Sequence, residues 1–312
     1  MFNVKKLGVV LGLSAVCLGL VGCSGNPQNN APANNTANNA ATNTANNEAD
    51  AGDKDLAKLG EISVISREDG SGTRGAFVEI VGLMEDDVDN TTPEAVVQNS
   101  TNGVMTTVST DPSAIGYISL GSLNDTVKAL KVDGVEATAE NIIDGSYTIA
   151  RPFLLVTKGT PEEGSLEADF LKFAHSTQGQ KIAEDEGYIK VEGAEEYQPA
   201  DLSGDLTVAG STSVTPLMEK LAEEYKNLNP NANIEIQSTG SSAGIASTID
   251  GSAQIGMSSR ELKDEEKGEV EEVVLAKDGI AVIVNKENPL EDVKKDQIKD
   301  IFGGKILDWE EL

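Results

Sequence analysis

The chain has 312 residues, a formal net charge of −28 and a pI near 4.3. That length is enough for two packed lobes, each with its own core. Such acidity argues against nucleic acid as a partner, because binding it needs clustered lysine and arginine.

Lys5 and Lys6 precede an apolar run over residues 7–21 that closes on Leu20-Val21-Gly22-Cys23. The run is short for a membrane span and reads as a secretory signal over residues 1–22. Its last four residues match the lipobox of bacterial lipoproteins, which predicts cleavage before Cys23 and lipidation of that thiol. A plain signal peptide that happens to end in cysteine is the alternative. Cys17 would leave with the signal, so the mature chain is expected to hold no free thiol, disulfide or cysteine-ligated metal. Residues 23–55 are rich in Asn, Ala and Thr with almost no large apolar side chain, and read as a flexible tether.

From Leu56 the pattern turns α/β. Strands are predicted at 63–65, 114–118, 153–156, 206–209, 234–236 and 280–284, and helices at 167–174, 217–225 and 298–302. This alternation favours open, largely parallel sheets with helices on both faces, whose ligands sit at the carboxyl ends of strands. Three strand-to-helix turns stand out. In Arg67-Glu68-Asp69-Gly70-Ser71-Gly72-Thr73, the glycines let successive N–H groups face one concavity, while Arg67 offers a planar fork for an oxyanion. Gly210-Ser211-Thr212-Ser213-Val214 and Ser238-Thr239-Gly240-Ser241-Ser242 repeat the arrangement, again before helical patterns. Each turn alone is also what an ordinary capped helix start looks like. Together the three can surround one tetrahedral anion. Short-range donors would then bind it while distant carboxylates are screened.

Two decoys fail on residue type. Gly240-Ser241-Ser242-Ala243-Gly244 fits the G-x-S-x-G pattern of serine hydrolases, but the one histidine, His175, ends an amphipathic helical stretch. The acidic run 85–89 lacks the spaced ligands and glycine of a calcium loop. With one His and no retained Cys, a transition-metal site is not expected either.

Five stretches, SREDGSGTRGAF, AGSTSVTP, STGSSAGI, IGMSSREL and KDGIAVIVN, closely resemble the phosphate-binding lipoproteins of bacterial phosphate-uptake ABC transporters. The resemblance spans nearly all of 60–312. It implies an α/β, two-lobed type II periplasmic-binding-protein fold that closes on phosphate and hands it to a membrane permease, with no cofactor and no catalysis. Carried over residue by residue, Arg67, Ser71, Gly72, Thr73, Ser213, the Val214 amide and Ser241 are the implied phosphate ligands, with Thr212 as a further candidate. Ser259 stands where several relatives place an aspartate that accepts the proton of hydrogen phosphate. Asp69 is the expected substitute acceptor, and Arg260 either a second cation or a surface partner of Glu261 or Glu265.

The order of segments departs from the family. The segment resembling the family's start lies at 204–285 and the one resembling its end at 151–191, so the chain reads as circularly permuted. A truncated tandem duplication or a spliced gene model are the rivals. On the permuted reading, one lobe comprises residues 56–147 with 286–312, the other 148–192 with 204–285, and 193–203 is the bridging linker. Crossovers near 146–151 and 284–287 would form the hinge. The expected setting is a lipid-anchored monomer at the extracytoplasmic face of the cell membrane. A sensor or receptor for another tetrahedral oxyanion, or a surface lipoprotein that binds nothing, is the alternative.

Overall fold

The structure, a computed structural model, describes residues 56–312. The expected signal, Cys23 and the tether lie outside the described residues. Eight strands, β1 (Ser63–Arg67), β2 (Val96–Gln98), β3 (Ala114–Ser119), β4 (Ala150–Thr157), β5 (Gly204–Gly210), β6 (Ala232–Ser238), β7 (Ile255–Ser258) and β8 (Glu271–Val284), bond side by side. Their spatial order is β6-β5-β7-β4-β8-β3-β1-β2. Lys128–Ala129 and Ile189–Lys190 pair onto β8 as short additions. The helices are α1 (Gly72–Ile80), α2 (Thr101–Thr110), α3 (Ala139–Ile143), α4 (Leu166–Ala174), α5 (Thr177–Asp185), α6 (Thr215–Leu228), α7 (Ser241–Asp250) and α8 (Lys295–Phe302). Among the described residues no helix is long and apolar enough to cross a membrane.

The α/β expectation holds, and the parallel pairing is concentrated where ligands were expected. β5 is parallel to β6 and β7, and β1 is parallel to β2 and β3. The middle is antiparallel: β4 runs against β7 and β8, and β8 runs against β3. Side chains alternate between two covered faces, which explains the unbroken apolar runs in the sequence. In β8, Ile280, Val282 and Val284 join Phe77, Tyr117, Phe302 and Trp309, while Ala281 and Ile283 join Ile65, Val104 and Val108 on the other face. In β4, Phe153 and Leu155 pack with Phe170, Phe173 and Tyr225, whereas Leu154 and Val156 meet Ile245 and Leu262.

Within β8, Glu271–Gly279 pair with β4, whereas Ile280–Val284 pair with β3. One strand therefore serves both sides of the sheet, changing allegiance near Asp278 and Gly279. In the sequence, Lys277-Asp278-Gly279 lies at this passage, between the apolar stretches Val273–Ala276 and Ile280–Val284.

The parallel strands bring three helix starts to one edge. α6 is amphipathic, burying Leu217, Met218, Leu221, Ala222 and Tyr225 at helical spacing, with Pro216 in its first turn. α1 is capped by Ser71, whose hydroxyl accepts from the Arg74 N–H. α7 begins after Gly240, held at φ +94°, a conformation that side-chain-bearing residues rarely adopt.

Candidate functional site

A buried cluster of hydroxyls forms where β1, β5, β6 and β7 end. Thr73 lies on α1, Thr101 on α2, Ser213 and Thr212 on the β5–α6 turn, Ser241 at the start of α7, and Ser259 just past β7. The Thr73 and Ser213 hydroxyls are 2.8 Å apart, and Thr101 approaches Ser213 at 3.2 Å and Thr212 at 3.3 Å. Ser211 donates to Ser259 Oγ at 2.8 Å, and the Ser241 hydroxyl accepts from the Ser259 N–H at 3.2 Å. Each bond between Thr73 or Thr101 and the β5–α6 turn joins residues from the two sides of the sheet.

Arg67 is the cation of this cluster, 2% exposed. Its Nε and Nη2 donate to both Glu68 carboxylate oxygens at 2.8 Å, and Nη2 also donates to Thr212 Oγ1 at 3.0 Å. The Arg67 N–H and the Ser66 hydroxyl meet Tyr117 OH, whose phenol burial holds in its protonated form. Arg74 braces the turn by donating to the Arg67 carbonyl at 2.9 Å and to Asp89 at 2.6 Å. Burial pushes the Asp89 carboxyl up, but bonds from Thr91 and Arg74 outweigh it and hold it below its ordinary value.

Gly72 marks the closest approach. A Cβ there would lie 2.3 Å from Ser241 Oγ and 2.7 Å from Ser259 Oγ, so only hydrogen fits between the two sides. Beside it, the Ser242 N–H donates to the Gly70 carbonyl at 3.1 Å.

Of the residues named from the sequence, Arg67, Thr73, Thr212, Ser213, Ser241 and Ser259 meet in this cluster, and Gly72 lies against it. Ser71 is buried nearby, its hydroxyl spent on the helix cap. The Val214 N–H donates to the Ser211 carbonyl at 3.2 Å, so that amide closes its own turn. Asp69 is exposed, and its carboxylate accepts from the Gly70 N–H. The carboxylate beside the guanidinium is Glu68. Arg260 is a partner neither of Glu261's carboxylate nor of Glu265: it forks onto Glu266 at 2.7 and 2.8 Å and reaches Ser242 Oγ at 3.1 Å.

Sequence reasoning missed Thr101, Ser211 and Glu68. Ser211 sat inside a quoted motif, and Thr101 follows Ser100 at a strand-to-helix start with no glycine before it. His175 bonds through both ring nitrogens to the carbonyls of Leu171 and Val274, so neither nitrogen is paired with Ser241 or Ser242. A groove of about 660 Å³ between α5 and α6 includes none of the cluster residues. What the cluster offers is hydroxyl donors and one guanidinium, a chemistry suited to holding a tetrahedral oxyanion.

The sequence model of the PBP superfamily domain matches residues 13–178 and 195–312. The phosphate-binding protein PstS 2 of Streptococcus agalactiae is 50% identical over 266 residues, covering 83% of this chain and 90% of that protein. PstS 2 of Streptococcus pneumoniae serotype 4 is 48% identical over 258 residues, covering 81% of this chain and 88% of its own length. The crystal structure of a phosphate-binding protein of a phosphate ABC transporter from S. pneumoniae TIGR4 superposes with a TM-score of 0.66 at 48% identity, covering 81% of this chain and 99% of that one. With about half of the aligned residues identical to these proteins and the fold of one of them shared, the chain belongs to the PBP superfamily, among the PstS-like phosphate-binding proteins.

Proposed function

We propose that this protein binds inorganic phosphate at the Arg67 hydroxyl cluster and delivers it, outside the cytoplasm, to the permease of a phosphate ABC transporter. The observation that carries the reading is the buried meeting of Arg67, Thr73, Thr101, Ser213 and Ser259 from both sides of one sheet. Hydroxyls that now bond one another can turn to a tetrahedral anion, which draws the two sides together through a shared ligand. Arg67, Ser71, Gly72, Thr73, Thr212, Ser213, Val214, Ser241 and Ser259 are its proposed surroundings. The protein is a carrier without turnover, anchored at the membrane face through a lipid on Cys23 and acting as a monomer.

The two lobes are proposed to follow the two sides of the sheet, with a permuted chain order. In support, the Ile62 N–H donates to Leu307 O at 2.8 Å and the Trp309 N–H to Gly60 O at 3.0 Å. The chain's last segment thus lies against the strand entry that would follow it in the unpermuted order. The 193–203 stretch is tied down by Tyr197, which donates to Asp169 at 2.6 Å.

Calorimetric titration of phosphate, with sulfate as competitor and a phosphomonoester as turnover probe, tests this. One-to-one phosphate binding that sulfate does not displace, with no ester hydrolysis, is the expected result. A folded chain that takes up no phosphate would overturn it. Preference for sulfate would point instead to a receptor for another oxyanion.

A further inference from the structure

We propose that Arg151 is a positioning residue for the anion site: locked by Asp278 at the strand passage, its guanidinium holds the Ser259 carbonyl and so aims the Ser259 loop into the hydroxyl cluster. This rests on the phosphate reading above.

Arg151 and Asp278 face each other as register partners on β4 and β8, 2% and 1% exposed. Arg151 Nε and Nη2 donate to Asp278 Oδ2 at 3.2 and 3.0 Å. The third guanidinium nitrogen, Nη1, donates to the Ser259 carbonyl at 3.2 Å. On the far side, Asp278 Oδ1 accepts from the Ser119 hydroxyl at 3.0 Å, and Ser119 ends β3. A single buried network therefore joins β3, β4, β8 and the end of β7. It crosses the point where β8 passes from one side of the sheet to the other.

The site depends on the last of these attachments. Ser259 follows β7 with no helix to hold it, yet its hydroxyl accepts from Ser211 and its N–H donates to Ser241. The carbonyl of the same residue is the one Arg151 grips. Ser241 holds the peptide before Ser259 and Arg151 the one after it, and fixing both planes sets the direction of the Ser259 side chain. A lysine cannot copy this, since one ammonium does not present the planar fork that spans Asp278 and Ser259 at once. Gly279 keeps the passage tight: a Cβ there would lie 2.5 Å from Ile142 Cδ1. Burial disfavours the charge on Arg151, Asp278 opposes that effect, and the nearby positive charge of Arg67 adds to it. So costly a cation is retained for a geometric task in this account.

Two variants test it, because removing one partner of a buried pair strands the other charge and can unfold the chain. Arg151→Lys keeps a cation opposite Asp278. The double variant Arg151→Met with Asp278→Leu replaces the pair with apolar side chains of similar size. The readouts are the amide resonance of Ser259 without phosphate, and the Kd and koff for phosphate. In both variants we expect a displaced Ser259 resonance and phosphate binding weaker by about tenfold, carried by faster release. As a control for general destabilisation, Tyr225→Phe in the remote core should leave both readouts at parent values. An unmoved Ser259 resonance with parent-like Kd and koff in Arg151→Lys would overturn the proposal. If the parent bound no phosphate, the function reading would fall, while the resonance would still decide the positioning role.

Discussion

The guanidinium of Arg67 is matched by Glu68, while Asp69, the expected acceptor for the proton of hydrogen phosphate, is exposed beside it. Asp69 is spent on the Gly70 N–H, and Glu68 reaches both nitrogens of the fork. Adjacent carboxylates look interchangeable in a one-dimensional motif, and only the direction of each side chain from the turn separates them. Gly72 gives the sharpest test at this scale. It lacks the positive φ of Gly70, so alanine suits its backbone and should favour the first turn of α1. The added methyl would nevertheless meet Ser241 Oγ and Ser259 Oγ across the cleft. Gly72→Ala should therefore keep or raise the thermal midpoint while weakening phosphate binding by at least about tenfold, as calorimetry would read. A variant that binds as the parent does would show that the two sides need not approach this closely.

Local patterns made the strand–turn–helix units legible. The runs ending at Arg67, Gly210 and Ser238, and the helices after them, follow from period, glycine and hydroxyl caps read within a dozen residues. Strand β7 and helix α2 escaped because neither advertises itself. Ile255–Ser258 is four residues long, and α2 is largely Thr, Ser, Val and Gly, with modest helix propensity. Pairings such as Arg151 with Asp278, or Arg260 with Glu266 in preference to Glu261 or Glu265, need the register or the turn geometry first. The loop after β7 illustrates what such a pair contributes. Burial pushes the Glu266 carboxyl up, but bonds from Arg260 and the Lys263 N–H, with the charge of Arg260, outweigh it and hold it below its ordinary value of 4.5. A carboxyl depressed in the folded state adds stability above its unfolded value and loses it as pH falls through the folded one. The urea midpoint of Glu266→Gln should thus lie below that of the parent at neutral pH, and the gap should narrow as pH falls below 4.5. A gap that stays constant into acid would mean the ion pair is not its source.

Across the whole molecule the charges pose the question that the acidic composition raised. The chain has four arginines, and each is bonded to a carboxylate: Arg67 to Glu68, Arg74 to Asp89, Arg151 to Asp278 and Arg260 to Glu266. The site is thus assembled from neutralised pairs and hydroxyl dipoles inside a molecule of formal charge −28. Such an arrangement holds an anion at hydrogen-bond range but gives it no attractive field on approach. The long-range field instead opposes a dianion, and salt screens that field over a Debye length of about 8 Å at physiological ionic strength. Stopped-flow association should therefore quicken as inert salt rises from about 0.01 M to 0.15 M, while koff, set by desolvated short contacts, barely moves. Affinity would then improve with salt, the reverse of a basic anion trap. Association that slows on adding salt would mean that the paired arginines open to a net positive mouth before phosphate arrives, and that Glu68 or Glu266 swings away as part of binding.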